Sequence, residues 1–131
     1  MAGYSGTPLA KKLGFKPGQR TWFDCMPDSV RAQIDTDITL LDMPEPPVEG
    51  AHLFVTHCAT LDCKLRMLLP LLAGDGMIWV SWPKQASKKP TDITEDVIRA
   101  VALPLGLVDV KVCAVDDIWS GLKLVIRKEL R

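Results

Sequence analysis

The strongest constraint on the fold is the segment 74–84, which reads GDGMIWVSWPK. After a Gly-Asp-Gly turn, residues 77–82 form a short, mostly apolar run rich in β-forming residues, and Pro83 ends it. A run that is apolar on both faces is typical of a strand buried on both sides, usually in a parallel sheet. Helical patterns flank this run at residues 61–72 and 93–103. The alternation predicts an α/β fold with this strand near the middle of the sheet.

We expect residues 1–131 to form one domain, and the rest of the sequence indicates its further elements. Residues 1–18 are expected to form an N-terminal arm whose short helix has Thr7 as its N-cap and ends at Gly14. Residues 43–50, MPEPPVEG, predict an irregular loop because prolines remove backbone donors. The predicted strands are 20–25, 38–42, 52–57, 77–82, 108–115 and 122–127.

Candidate caps and turns mark the predicted helices and the last connection. Thr60 is expected to cap the helix after the third strand, and Asp92 with Glu95 resembles a capping box for the next helix. In that next helix Ile93, Val97 and Val101 are expected to face the sheet. The last two strands alternate polar and apolar residues and are joined by the loop 116–121, which predicts an antiparallel hairpin.

Five segments of the chain resemble a bacterial domain-of-unknown-function family of small Rossmann-like proteins: YSGTPLAKKLG, KPG, WVSWPK, TEDVIR and GLVDVKVCAVDDIWSGLK. The resemblance covers nearly the whole chain and implies a fold without a known activity. The layout is also similar to a cut-down class I methyltransferase. That similarity implies a three-layer α/β sheet in the order 2-1-3-4-6-5, closed by a C-terminal antiparallel hairpin.

Charge and hydropathy exclude several classes of partner. Lys plus Arg and Asp plus Glu each number 16, so the net charge is zero, which argues against a general binder of nucleic acid or of anionic membranes. No apolar run approaches the roughly 18 residues of a membrane span, and no signal region is recognisable. We therefore expect a cytoplasmic protein whose four cysteines are reduced.

The charges are unevenly distributed along the chain. Residues 1–23 carry four bases and no acid, whereas residues 24–50 carry seven acids and one base, Arg31. The simplest interpretation is that the two stretches lie on different solvated faces of the domain.

A ligand site is expected at the carboxyl ends of the strands, near the point where the strand order reverses. There, Asp24, His57, Lys84 and Trp119 are expected to line one crevice, with Trp119 as an apolar wall, Lys84 as a contact for an anionic group, and His57 titrating near neutral pH. The full set of candidate ligand-binding residues is Asp24, Cys25, His57, Trp82, Lys84, Asp116, Trp119 and Ser120.

Cofactor and metal sites are not predicted. The first strand is followed by DCMPDS, which lacks the glycines that let backbone approach a dinucleotide or S-adenosylmethionine, although Asp42 lies 18 residues after Asp24, where a ribose-binding acid would be. Cys58 and Cys63, with His52 and His57, have spacings unlike those of structural zinc sites. Two histidines five positions apart on one strand would also point to opposite faces.

Two classes of function remain open. The first is a non-catalytic module that binds a small molecule or a partner protein in the strand-end crevice. The alternative is an enzyme, either a small transferase related to S-adenosylmethionine-dependent methyltransferases or a thiol enzyme that uses Cys25 with His57 as the base. The absence of a glycine turn and of a local Cys–His pair favours the binding module.

Overall fold

A computed structural model describes residues 7–131 as one mixed sheet flanked by helices. The first six residues of the predicted N-terminal arm lie outside the described residues. The strands are β1 (Arg20–Asp24), β2 (Thr39–Leu40), β3 (Val48–Phe54), β4 (Leu72–Pro83), β5 (Leu107–Ala114) and β6 (Trp119–Ile126). The helices are α1 (Leu9–Leu13), α2 (Asp28–Arg31), α3 (Cys58–Leu68) and α4 (Glu95–Ala102). Short 3₁₀ segments lie at Leu69–Leu71, Gln85–Ser87, Leu103–Leu105 and Lys128–Leu130.

The strand order is β2-β1-β3-β4-β6-β5, which is the order that the similarity to a class I methyltransferase implies. The first four strands in this order are parallel, and His52 of β3 is the register partner of Trp79 of β4. Strand β6 runs antiparallel to β4 and to β5, which makes β5 and β6 the predicted C-terminal hairpin. The predicted three-layer α/β fold is therefore confirmed.

Strand β4 is buried on both faces because a separate apolar cluster covers each side of the sheet. Ile78 and Val80 belong to the larger cluster, which includes residues of α3 and α4. Met77 and Trp79 belong to the second cluster, which includes residues of α1 and α2. This arrangement accounts for the unbroken apolar run in the sequence, since each alternate side chain meets a different core.

The central strands are longer than predicted. Strand β3 begins at Val48, inside the predicted proline-rich loop, and β4 begins at Leu72, so the predicted Gly-Asp-Gly turn lies within a strand. The register between the two strands shifts here, because Val48 pairs with Leu72 whereas Gly50 pairs with Met77. The turn residues thus form an irregular bulge, a feature that apolar periodicity does not reveal.

Three predicted helix caps are wrong. Pro8 rather than Thr7 is the N-cap of α1, and α3 begins at Cys58 instead of after Thr60. The cap of α4 is Thr94, whose hydroxyl accepts a hydrogen bond from the Val97 amide at 3.2 Å. The predicted cap Asp92 instead accepts from the Cys58 amide at 2.7 Å, so it caps α3 across the fold. A residue 34 positions away therefore replaces the local partner.

The end of α1 is as predicted, whereas the buried face of α4 is displaced. Gly14 adopts the left-handed conformation, with φ of 80°, at the C-cap of α1. In α4 the fully buried side chains are Ile98 and Ala102, and Val97 and Val101 are only partly buried. The shift follows from the later start of the helix at Glu95.

Candidate functional site

An open pocket of about 470 Å³ lies at the carboxyl end of β4, next to the beginning of α4. Trp82, the penultimate residue of β4 and only 8% exposed, forms part of its wall. We call it the Trp82 pocket. Its lining residues are Trp82, Pro83, Gln85, Lys88, Lys89, Thr91, Ile93, Thr94 and Glu95. This is the edge of the sheet at which the sequence predicts a ligand site.

The part of the pocket lining around Thr91 is hydrogen-bonded to the segment that follows β3. The Thr91 hydroxyl donates to the carbonyl oxygen of Thr56 at 2.8 Å, and the Asp92 amide donates to the same oxygen at 3.3 Å. The carboxylate of Asp92 caps α3 immediately after His57. The segment that lines the pocket is thus hydrogen-bonded to the residues on either side of His57. The sequence gives no sign of these hydrogen bonds, because they join distant parts of the chain.

Positive charge in the Trp82 pocket comes from Lys88 and Lys89. Glu95 also lines the pocket, but its carboxylate binds the Arg99 guanidinium at 2.8 Å. Arg99 also binds Asp109 at 3.0 Å. The hydrogen bond to Asp109 makes the largest contribution to raising the pKa of Arg99 above its ordinary value, and the hydrogen bond to Glu95 adds to it. Within residues 7–131, neither lysine ammonium has a carboxylate partner. The lysines therefore remain available to an anionic group.

Several of the predicted site residues meet where β4 approaches the hairpin loop. The Lys84 ammonium donates to the carbonyl oxygen of Asp116 at 2.5 Å, and the Asp116 carboxylate accepts from the amides of Ile118 and Trp119, each at 2.8 Å. Trp82 and Ser120 are register partners. Trp119 and Ser120 belong to β6 rather than to the predicted loop, because the hairpin connection is shorter than expected. Lys84 and Asp116 thus hold this connection in place.

Trp119 has a packing contact of its own. Its ring meets the Phe54 ring edge-to-face, with the centroids 5.0 Å apart. The side chain also packs against the apolar cluster on the α1 side of the sheet. Its contacts are those of a partly buried residue that closes the end of the core.

The remaining predicted site residues follow β1 and β3. Asp24 forms an ion pair with Lys64 of α3 at 3.0 Å, and its side chain is only 13% exposed. Cys25 is exposed and has a φ of 57°, which is unusual for a residue other than glycine. His57 is exposed at the N-cap of α3 instead of lying in a strand. That Asp24 and His57 share one crevice with Lys84 and Trp119 stays a prediction.

The two histidines of the set considered for a metal lie in different environments. His52 is fully buried within β3, whereas His57 precedes α3 and faces solvent. The sequence pattern placed both histidines on one strand. In the structure only His52 lies in a strand. In the described part of the chain, no three histidine, cysteine or acidic side chains are grouped as metal ligands.

The comparisons with known proteins identify the fold class. No family model matches the chain, and no curated protein matches its sequence. Solved structures match over most of the chain. Fibrillarin from Aeropyrum pernix, with natively bound S-adenosyl-L-methionine, is 12% identical with a TM-score of 0.55, covering 94% of this chain and 70% of fibrillarin. Magnesium protoporphyrin IX methyltransferase from Synechocystis PCC 6803, with bound S-adenosylmethionine, is 8% identical with a TM-score of 0.58. The match covers 90% of this chain and 74% of the methyltransferase.

LepI in complex with S-adenosylmethionine is a further structural neighbour. It is 11% identical with a TM-score of 0.55, and the match covers 92% of this chain but only 47% of LepI. The chain thus spans about half the length of that protein. At these identities the likeness establishes the methyltransferase-like Rossmann fold, and it adds no support to the domain-of-unknown-function resemblance. No helix among residues 7–131 is both long and apolar enough to cross a bilayer.

The turn after β1 does not fit the cofactor that this fold implies. Cofactor-binding turns use glycines so that the backbone can approach the ligand, and the following helix directs its N-terminus at the phosphate of a dinucleotide. Here Cys25 adopts the left-handed conformation but carries a side chain, and Asp24 is engaged by Lys64. The following helix, α2, has only four residues and therefore little dipole. These residues offer no backbone cradle for S-adenosylmethionine or a dinucleotide.

Proposed function

We propose that the chain is a non-catalytic binding module of the methyltransferase fold, and that it holds a small anionic ligand in the Trp82 pocket. The observation that carries the proposal is the pair of lysines, Lys88 and Lys89, which line this pocket without a carboxylate partner. The Trp82 ring supplies an apolar wall beside them. A small acid with a flat or apolar part has the chemistry that this lining recognises.

The contacts of the Cys25 thiol support a binding role. The alternative thiol enzyme requires Cys25 to be activated by a base such as His57. The Cys25 thiol contacts the Asp24 carboxylate at 3.9 Å, and no hydrogen bond joins it to an imidazole among the described residues. Asp24 is itself neutralised by Lys64. The absence of a Cys25–His57 hydrogen bond in the described part of the chain therefore favours the binding module over the thiol enzyme.

A second candidate is an S-adenosylmethionine-dependent transferase, which the solved neighbours that contain this cofactor favour. The match rests on the order and packing of the elements, and the turn after β1 argues against it. The two candidates differ in a measurable property, because a transferase must bind S-adenosylmethionine and the binding module has no need of it.

Thermal unfolding in the presence of a panel of small carboxylic and phosphorylated acids tests the binding proposal. We expect at least one acid to raise the melting temperature of the wild type by ligand linkage. The double variant Lys88→Met, Lys89→Met should lose that shift while keeping the unliganded melting temperature. Lys128→Met, which removes an exposed lysine from the C-terminal 3₁₀ segment, is the matched control and should respond like the wild type. Equal shifts in the double variant and the wild type would contradict the proposal.

A further inference from the structure

Two lysines of the C-terminal hairpin lie near the end of α1, close to a third lysine in the segment that follows this helix. Lys111 of β5 and Lys123 of β6 are direct register partners. The Lys123 ammonium lies 3.9 Å from the position that a Cβ of Gly14 would occupy, at the C-terminal end of α1. Lys16 follows two residues later. We call Lys16, Lys111 and Lys123 the lysine cluster.

The fold alone gives no reason for this arrangement. Like charges directly opposite each other on neighbouring strands destabilise a sheet. Among residues 7–131, no carboxylate forms an ion pair with any of these three lysines. The acid of β5, Asp109, is held by Arg99 of α4 and so does not compensate them. Glu49 and Asp75 line a pocket that Lys16 also lines, yet neither forms an ion pair with Lys16.

The ammonium of Lys123 belongs to the one lysine of the three that is partly buried. Lys111 donates to the carbonyl oxygen of Lys12 at 3.1 Å, near the end of α1, which gives it a structural partner. Among the described residues, the Lys123 ammonium has no hydrogen bond and no ion pair, although the backbone of Lys123 takes part in the β4–β6–β5 ladder. Burial lowers the pKa of Lys123, and the positive charges of Lys111 and Lys16 lower it further. An anion placed among these groups would relieve both the repulsion and the desolvation.

We propose that the lysine cluster binds a phosphoryl group of a small molecule. A phosphate monoester carries close to two negative charges at neutral pH and offers three acceptor oxygens, so it matches several ammonium groups better than a single carboxylate does. A small ligand suits the site better than a nucleic acid, because the chain has no net charge and carries seven acids within residues 24–50. The site is independent of the Trp82 pocket, since it depends on different elements.

Isothermal titration calorimetry with pyrophosphate as the probe tests the inference at low ionic strength, where screening is weak. We expect saturable binding to the wild type. Lys123→Met should weaken binding by roughly ten-fold or more, which corresponds to the loss of one charge-assisted hydrogen bond. Lys123→Arg keeps the charge and should restore most of the affinity, and Lys128→Met should bind like the wild type.

A second variant covers the case in which Lys123→Met does not fold. Lys111 is exposed, so Lys111→Met is expected to fold and to weaken binding to a similar extent. The inference is overturned if the wild type gives no saturable heat with pyrophosphate, or if both methionine variants bind it as the wild type does. It is also overturned if a short single-stranded oligonucleotide binds and pyrophosphate does not displace it.

Discussion

The imidazole Nε2 of His52 lies 2.7 Å from the Ser81 hydroxyl oxygen, between two parallel strands at the centre of the sheet. Both residues are fully buried, and the His52 Nδ1 atom has no partner among the described residues. The ring stacks on Phe54, with the centroids 4.4 Å apart. Burial lowers the pKa of His52 to about 3, so the ring stays neutral in the folded protein at moderate acidity.

This burial predicts acid sensitivity. The folded pKa of His52, about 3, lies below its ordinary value of 6.5, so the unfolded chain binds a proton more readily between these pH values. The free energy of unfolding should be unaffected by His52 above pH 6.5 and should fall as the pH drops from 6.5 towards 3, by a few kcal/mol in all. Urea unfolding at a series of pH values measures this loss.

Two variants isolate the contribution of His52 to that loss. His52→Phe combined with Ser81→Ala leaves no unpaired polar group and should flatten the decline between pH 6.5 and 5, where carboxylates contribute little. His57→Gln removes the exposed histidine and should leave the decline unchanged. An unchanged slope in the double variant would refute the assignment.

Gly121 is expected to be intolerant of a side chain. A Cβ there would lie 3.2 Å from both Trp79 Cε3 and Val115 Cγ2, which is closer than ordinary packing allows. Gly121→Ala should therefore lower the free energy of unfolding by about 1–3 kcal/mol through overpacking. Gly74→Ala, where nothing lies within 4 Å of the added Cβ, is the matched control and should cost much less. Chemical denaturation of the two variants compares them, and equal losses would count against the described packing.

The Asp116 carboxylate is expected to be structural. It accepts hydrogen bonds from the amides of Ile118 and Trp119, so Asp116→Ala should lower the free energy of unfolding by about 1–2 kcal/mol. Its exposed neighbour Asp117 makes no such contact, and Asp117→Ala should be nearly neutral. Thermal or urea unfolding of both proteins distinguishes them. Similar stabilities would mean that the loop does not depend on this carboxylate.

Asp92 is expected to stabilise α3 rather than α4. Asp92→Ala removes the acceptor of the Cys58 amide and should cost about 1 kcal/mol, as the loss of an N-cap does. Thr60→Ala changes the residue that the sequence suggests as the cap, and it should have little effect because Thr60 lies inside the helix. Amide hydrogen exchange should show faster exchange in the first turn of α3 for Asp92→Ala alone. Greater loss of protection in Thr60→Ala would contradict the assignment.

Periodicity along the chain could predict the α/β class and the central position of β4, whereas the strand order followed from the similarity of the layout to a class I methyltransferase. A run such as 77–82, apolar on both faces, requires cover on both sides, and only a central strand of an α/β sheet receives it. The caps could not be predicted reliably, since Asp92 lies near one helix in sequence and binds another in space. Local patterns do not reveal which of two neighbouring polar residues has a distant partner.

The sequence places the candidate site at the carboxyl edge of the sheet, where the Trp82 pocket lies, but it does not reveal the contacts of each residue. Topology alone brings Trp82 and Lys84 to the carboxyl end of their strand. The hydrogen bond from Lys84 to the Asp116 carbonyl depends on the length of the hairpin connection, which the sequence pattern overestimated. The His52–Ser81 pair was missed because isolated polar residues in apolar strands give no sign of their partners.

The central claim is that the chain is a binding module that does not bind S-adenosylmethionine. A calorimetric titration of the wild-type protein with S-adenosylmethionine tests this claim most directly. Because the turn after β1 offers a side chain at Cys25 instead of a glycine backbone, we predict no saturable heat at ligand concentrations up to about 1 mM. Saturable binding with a Kd of roughly micromolar strength would contradict this account and favour the transferase.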